Sequence, residues 1–98
     1  KIEIKLIIKD EKIIDFGYQG NSCVYCQATA SLLSKNLINK EKSKINELCD
    51  YAKSFFNKEQ ESIEKKWSFL SKLFDQKNIS RKECILLPFN ALKKIISN

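Results

Sequence analysis

The chain has 98 residues, enough for a single domain with one modest core, and its hydrophobic fraction of 43% is typical of a globular protein. No apolar run approaches the roughly 18 residues of a membrane-spanning helix, so we expect no membrane association. The net charge of +6 comes from lysines mixed with acidic residues, and Arg81 is the only arginine. Base readout and bidentate phosphate contacts favour arginine, so we do not expect nucleic-acid binding either.

The N-terminal residues predict a β-hairpin. Residues 1–8 alternate in polarity, with Ile2, Ile4, Leu6 and Ile8 on one face, which is typical of a half-buried strand. The polar residues Lys9 to Lys12 then suit a hairpin turn, although they lack glycine. A second strand is predicted from about Ile13 to Tyr18, where Gly17 is expected to mark a bulge or a close approach. A turn over residues 20–22 ends this part of the chain.

Helical periodicity dominates the remaining residues. Helices are predicted from about Cys26 to Ile38, from Ser43 to Phe56 and from Glu59 to Phe74, and Asp75 to Glu83 reads as a polar loop. The third predicted helix has an apolar side of Ile63, Trp67, Leu70, Leu73 and Phe74. A last helix is expected to begin just past Cys84, with Pro88 in its first turn, and to end near Ile96.

Strands followed by helices indicate an α+β domain, with a small antiparallel β-sheet and about four helices packed on one of its faces. We interpret residues 1–98 as one such domain. The chain contains no methionine, so we expect that residues are missing upstream of Lys1.

Cysteine content favours reduced thiols in the cytoplasm. Four cysteines are too few for a disulfide-stapled secreted domain, and the N-terminal residues do not resemble a signal peptide. The chain contains no histidine, so any metal must be held by thiolate, carboxylate or water.

Two of the cysteines are candidates for chemistry. Cys23 and Cys84 each precede a predicted helix, where free N–H groups and the helix dipole favour a thiolate and lower the thiol pKa. Cys49 lies on an apolar helical face and is interpreted as a structural residue. Cys23 and Cys26 form a C-x-x-C, which indicates either a dithiol redox pair or half of a zinc site. Spacing alone leaves both interpretations open.

Two motifs resemble signatures of the IscU/SufU/NifU N-terminal family of iron–sulfur cluster assembly proteins. The run D-F-G-Y-Q-G-N-S-C-V-Y-C-Q-A-T-A-S at residues 15–31 is similar to the first, approximately D-x-x-F-x-G-x-G-C-x-I-S-x-A-S-A-S. The run R-K-E-C-I-L-L-P-F-N-A-L at residues 81–92 is similar to the second, R-x-K-C-x-x-L-x-W-x-A-L. Departures include Ser22 for the glycine before the cysteine, Cys26 for a serine and Phe89 for the tryptophan.

The chain looks closest to the SufU branch of this family. The 61-residue separation between Cys23 and Cys84 includes a helix-sized insertion relative to the IscU branch. In addition, Glu83 stands where that branch has a histidine before its last cysteine.

The resemblance implies a metal or cluster site. Members hold a metal or nascent cluster with three cysteines and an aspartate, of which Cys23 and Cys84 match the second and third cysteines. The first cysteine and the aspartate come from a Cys-Gly-Asp that would lie upstream of Lys1. Arg81 matches a basic residue thought to assist sulfur transfer, so Arg81 and Cys84 are the expected catalytic residues. Cys26 is read as an incidental small residue or as a further thiol near the site.

The resemblance also implies the function, the cofactors and the partners. The expected cofactor is Zn²⁺ or a [2Fe–2S] cluster, since thiolates suit both. The expected function is iron–sulfur cluster biogenesis, either as a zinc-dependent sulfur carrier, which would be a sulfurtransferase, or as a non-enzymatic scaffold. The expected partners are a cysteine desulfurase of the SufS or IscS type and iron–sulfur acceptor proteins. The alternative is a non-catalytic interaction domain that has the same fold and has lost metal binding.

Overall fold

The computed structural model describes residues 2–20, 23–57 and 65–96. Two strands, three α-helices and two 3₁₀ helices occur within these residues. In chain order they are β1 (Glu3–Lys9), β2 (Lys12–Gln19), α1 (Val24–Asn36), α2 (Lys42–Asn57), a first 3₁₀ helix (Lys65–Leu70), a second 3₁₀ helix (Gln76–Arg81) and α3 (Lys82–Ile96). The predicted α+β class, with an antiparallel sheet followed by helices, is confirmed.

The two strands form the predicted hairpin. Lys9 pairs with Lys12, so the turn has two central residues, Asp10 and Glu11. Their φ angles of 53° and 66° place both in the left-handed region, as a type I′ turn requires. The turn prediction is therefore confirmed, and two acidic residues occupy positions where asparagine and glycine are favoured.

A bulge in β2 lies at a different place from the one expected. Ile7 pairs with Asp15 and Ile8 pairs with Ile13, so Ile14 is the extra residue. Gly17 continues the regular register, and a Cβ added there would meet nothing within 4 Å. The expectation that Gly17 marks a bulge or a close approach is wrong. The turn expected over residues 20–22 falls partly on residues 21 and 22, which lie outside the described residues.

The third predicted helix is wrong where the structure describes it. Lys65–Leu70 is a 3₁₀ helix in which Trp67 has non-helical angles, φ −111° and ψ 21°, and turns follow as far as Phe74. Trp67, Leu70 and Leu73 are buried, and their spacing of three residues fits a 3₁₀ turn as well as it fits an α-helix. The predicted residue Ile63 lies outside the described residues.

The last helix begins earlier than expected. Within the predicted loop, Asp75 caps the second 3₁₀ helix by accepting a hydrogen bond from the backbone N–H of Lys77 at 3.0 Å. That helix runs directly into α3, so Cys84 lies inside the first turn of α3 and Pro88 lies deeper, in its second turn. Proline has no N–H, so the carbonyl of Cys84 lacks its usual helical partner, and this is the local cost of placing Pro88 there.

An aromatic core holds the helices together. Phe74 lies 5.2 to 5.7 Å, centroid to centroid, from three other phenylalanine rings, which are Phe55, Phe56 and Phe89. Helix α3 packs against α1, α2 and β1, and α1 also contacts β2. The N-terminal ends of α1 and α3 are neighbours, since Arg81, which immediately precedes α3, lies over the ring of Tyr25 in the first turn of α1.

In the parts of the chain that the structure describes, no helix is long and apolar enough to cross a membrane.

Candidate functional site

Cys23 and Cys84 meet where α1 and α3 begin. Cys23 is the extended residue that precedes α1, with φ −71° and ψ 165°, and its thiol is exposed. Cys84 is half-buried in the first turn of α3. The packing of α1 on α3 brings the two side chains close enough for each to shift the pKa of the other. The two cysteines that the sequence singled out are therefore neighbours in the structure, although 61 residues separate them along the chain.

The two thiols have opposite electrostatic character. The pKa of Cys23 is lowered, first by the hydrogen bond from the Cys84 thiol and then by the backbone N–H of Cys26. The pKa of Cys84 is raised, first by that same hydrogen bond and then by burial. The thiolate form is therefore favoured more at Cys23 than at Cys84. The prediction of two lowered pKa values is confirmed for Cys23 and wrong for Cys84.

Helix position adds to this difference. Cys23 precedes its helix, and although its side chain makes no capping hydrogen bond, the nearby backbone N–H groups of Cys26 and Tyr25 lower its pKa. Cys84 is inside the helix, and the sequence argument assumed that α3 began after it.

Arg81 provides the positive charge at this site. It is the last residue of the second 3₁₀ helix, and its charge lowers the pKa of both Cys23 and Cys84. Its guanidinium carbon lies 5.8 Å from the centroid of the Tyr25 ring, a cation–π distance. Sequence reasoning placed Arg81 beside the last cysteine and missed Tyr25. No local pattern signalled Tyr25, since its contact with Arg81 depends on tertiary packing.

The other two cysteines are internal. Cys26 is 1% exposed and packs with Ile2 and Ala30, so the C-x-x-C does not present two thiols to solvent. Cys49 is buried on α2 with its sulfur 3.8 Å from the carbonyl oxygen of Phe89, and burial raises its pKa to about 12. Its burial agrees with the structural role that the sequence assigned to Cys49.

The thiols of Cys23 and Cys84 are suitable ligands for a metal ion, but two ligands are fewer than a structural zinc site requires. Soft thiolates such as those of Cys23 and Cys84 are the ligands that zinc and iron–sulfur clusters take. A structural zinc site takes four ligands, and within residues 2–20, 23–57 and 65–96 no group of three or more His, Cys, Asp or Glu side chains could hold a metal ion. The described residues thus supply two ligands of a suitable kind.

Exposed apolar side chains flank the thiols and the arginine. Val24 follows Cys23 and is 80% exposed, and Leu87 lies one turn beyond Cys84 and is 39% exposed. Ile79, 44% exposed, lies two residues before Arg81. Sequence reasoning missed them because each stands at an ordinary position in a periodic segment.

Comparison with known proteins shows what this fold is. The sequence matches no protein-family model and no curated protein. The structure is similar to the crystal structure of a nitrogen-fixing NifU-like protein (N-terminal) from Brucella abortus, with a TM-score of 0.83 and 18% identity over 98% of this chain and 67% of the other. It is also similar to a hypothetical protein solved at 2.3 Å, with a TM-score of 0.84 and 24% identity over 99% of this chain and 72% of the other. The chain therefore has the fold of a NifU-like N-terminal protein.

Proposed function

We propose that this protein takes part in iron–sulfur cluster biogenesis, as a zinc-dependent carrier of persulfide sulfur or as a scaffold on which a cluster is built. The observation that carries the proposal is the close pair of Cys23 and Cys84, beside Arg81, on a NifU-like fold. The two motifs that resemble the IscU/SufU/NifU N-terminal family contain these same three residues.

The reaction proposed is sulfur exchange with a cysteine desulfurase. The Cys23 thiolate attacks the outer sulfur of the desulfurase persulfide, and a new S–S bond forms as the old one breaks. The desulfurase cysteine leaves as a thiolate, and the proton of the persulfide stays on the transferred sulfur. No electron is gained or lost overall, so this step needs neither an oxidant nor a reductant.

Each side chain has a distinct task in this proposal. The lowered pKa of Cys23 supports it as the attacking sulfur, since the thiolate is the nucleophile. Cys84, which the family resemblance implies to be catalytic, interacts with the Cys23 thiol and lowers its pKa. Arg81 places positive charge where the desulfurase cysteine leaves as a thiolate.

Zinc, if bound, would be held by Cys23 and Cys84 together with ligands from beyond this pair, and it would keep thiolates deprotonated at neutral pH. In the scaffold form of the proposal, iron and sulfide are the cargo, and the same two thiols hold them. Both forms require Cys23 and Cys84 to act together.

Metal retention by cysteine variants tests this proposal. Replacing both Cys23 and Cys84 with serine is expected to abolish retention of zinc or iron by the native protein, measured by elemental analysis. Cys49→Ser is the matched control, because Cys49 is buried on α2 away from the pair, and it is expected to retain the metal. Equal metal loss from both variants would contradict the assignment of the thiols.

Activation of a cysteine desulfurase separates the proposal from its alternative. The exposed Val24, Ile79 and Leu87 near the thiols favour a surface that contacts another protein, which suits a sulfur carrier and also a non-catalytic interaction domain. Stimulation of the desulfurase that depends on Cys23 supports sulfur transfer. Absence of stimulation, together with absence of zinc and iron, would favour the interaction domain.

A further inference from the structure

Tyr25 is held firmly beside the thiol pair. It lies in the first turn of α1, two residues after Cys23, and its half-buried ring packs against the hydrophobic core. Its carbonyl oxygen accepts a hydrogen bond of 2.9 Å from the hydroxyl of Thr29, which is fully buried. The ring is therefore part of a rigid element.

Arg81, in contrast, is long and exposed. No carboxylate of the described residues lies within ion-pair distance of its guanidinium. An unrestrained arginine side chain samples many rotamers, so holding it in one place requires a specific contact. The contact that the structure does give the guanidinium is the Tyr25 ring, at 5.8 Å.

We propose that Tyr25 is a positioning residue, whose ring holds the Arg81 guanidinium beside Cys23 and Cys84 so that the thiol pair presents a fixed positive charge to the thiolate that leaves a sulfur donor. The contact itself is a feature of the fold, and the donor rests on the function proposed above. Tyr25 stands where the family motif has isoleucine, so this contact belongs to this chain's own residues.

The charge has a measurable consequence for small reagents. A unit negative charge approaching to about 6 Å from a guanidinium at a wet surface is favoured by roughly 0.6 to 1.4 kcal/mol, which is about a three- to tenfold rate effect. Iodoacetate carries this charge, and iodoacetamide is its neutral analogue. The same thiolate attacks both reagents, so the ratio of their rates is independent of how much thiolate is present.

The test is the iodoacetate-to-iodoacetamide rate ratio at Cys23, measured by peptide mass spectrometry on reduced, chelator-treated protein. Arg81→Gln and Tyr25→Leu are each expected to lower the ratio about three- to tenfold. Tyr25→Phe retains the ring and is expected to retain the ratio. Lys77→Gln, which removes an equal charge from an exposed position of the same 3₁₀ helix, is the matched control and is expected to leave the ratio unchanged.

Two outcomes would overturn the proposal. If Tyr25→Leu keeps the wild-type ratio while Arg81→Gln loses it, Arg81 is positioned without Tyr25. If Tyr25→Phe lowers the ratio as much as Tyr25→Leu does, the ring is not the positioning element. In the Arg81→Gln background, Tyr25→Leu is expected to have no additional effect.

A second measurement needs no destabilising variant. Arg81 is the only arginine, so its Nε–H group gives an unambiguous signal in a ¹H–¹⁵N spectrum of the wild-type protein. The proposal requires a shift displaced by the Tyr25 ring current and a heteronuclear NOE typical of an ordered group. A random-coil shift with a low NOE would refute it. Neither measurement uses a desulfurase, so the positioning role and the proposed function succeed or fail separately.

Discussion

Cys49 makes the stability of this protein depend on pH in the alkaline range. Its thiol is 2% exposed within the core, and burial raises its pKa from an ordinary 9.0 to about 12. A raised pKa means that the folded state favours the protonated thiol. The stabilisation is therefore complete below pH 9 and is lost progressively as the pH rises toward 12.

The magnitude follows from the size of the shift. Above pH 9, Cys49 ionises freely in the unfolded chain and stays protonated in the folded one, so each pH unit costs about 1.4 kcal/mol. Between pH 8 and pH 10 the free energy of unfolding should fall by about 1.4 kcal/mol on account of this one thiol. The prediction concerns the difference between two proteins, so that pH effects common to both cancel.

Urea denaturation of the wild type and of Cys49→Ala at pH 8 and pH 10, in reductant, measures this difference. The variant is less stable at pH 8 because it leaves a small cavity, and its deficit should shrink by about 1.4 kcal/mol at pH 10. Ile45→Val, on the same buried face of α2, is the control and should show a deficit that does not change with pH. A constant deficit for Cys49→Ala would refute the argument that burial holds this proton.

Three further predictions follow from the hairpin turn, the aromatic core and the thiol pair. Glu11→Gly should raise the urea midpoint by the equivalent of about 1 kcal/mol, because glycine adopts the φ of 66° without strain; an unchanged or lower midpoint would contradict this. Phe74→Ala should cost about 3 to 5 kcal/mol in the same assay, since the Phe74 ring meets three others, and a loss below about 1 kcal/mol would place it outside the core. Iodoacetamide should modify Cys23 at lower pH than Cys84, because their pKa values shift in opposite directions; mass spectrometry across pH 5 to about 10 would refute this if both followed one curve.

The elements that sequence reasoning predicted are those in which one local pattern decides the outcome. Alternation placed Ile4 on the buried face of β1, and helical spacing placed Ile45 and Phe55 on the buried face of α2. The segment around Trp67 could not be predicted in this way, since a spacing of three residues fits both an α-helix and a 3₁₀ helix. The polar residues before Cys84 looked like a loop because solvent-facing residues at the start of a helix have the same composition.

The candidate site likewise has features that the sequence predicts and features that depend on tertiary packing. The positions of Cys23 and Cys84 before or near helices could be read from the sequence, and their meeting was implied by family resemblance alone. Which thiol favours the thiolate form more depends on an interaction between two segments that only tertiary packing brings together. The contact of Arg81 with Tyr25 depends on the same packing, and no local pattern contains it.

Because Cys23 and Cys84 are far apart along the chain, a group that bridged them would raise the free energy of unfolding. Any group that joined Cys23 to Cys84 would close a loop spanning 61 residues, and a cross-link of that span removes about 4 kcal/mol of conformational entropy from the unfolded chain. That amount is a large fraction of the stability of a small domain. A protein whose two thiols were joined in this way would therefore resist unfolding and proteolysis better than one whose thiols were free.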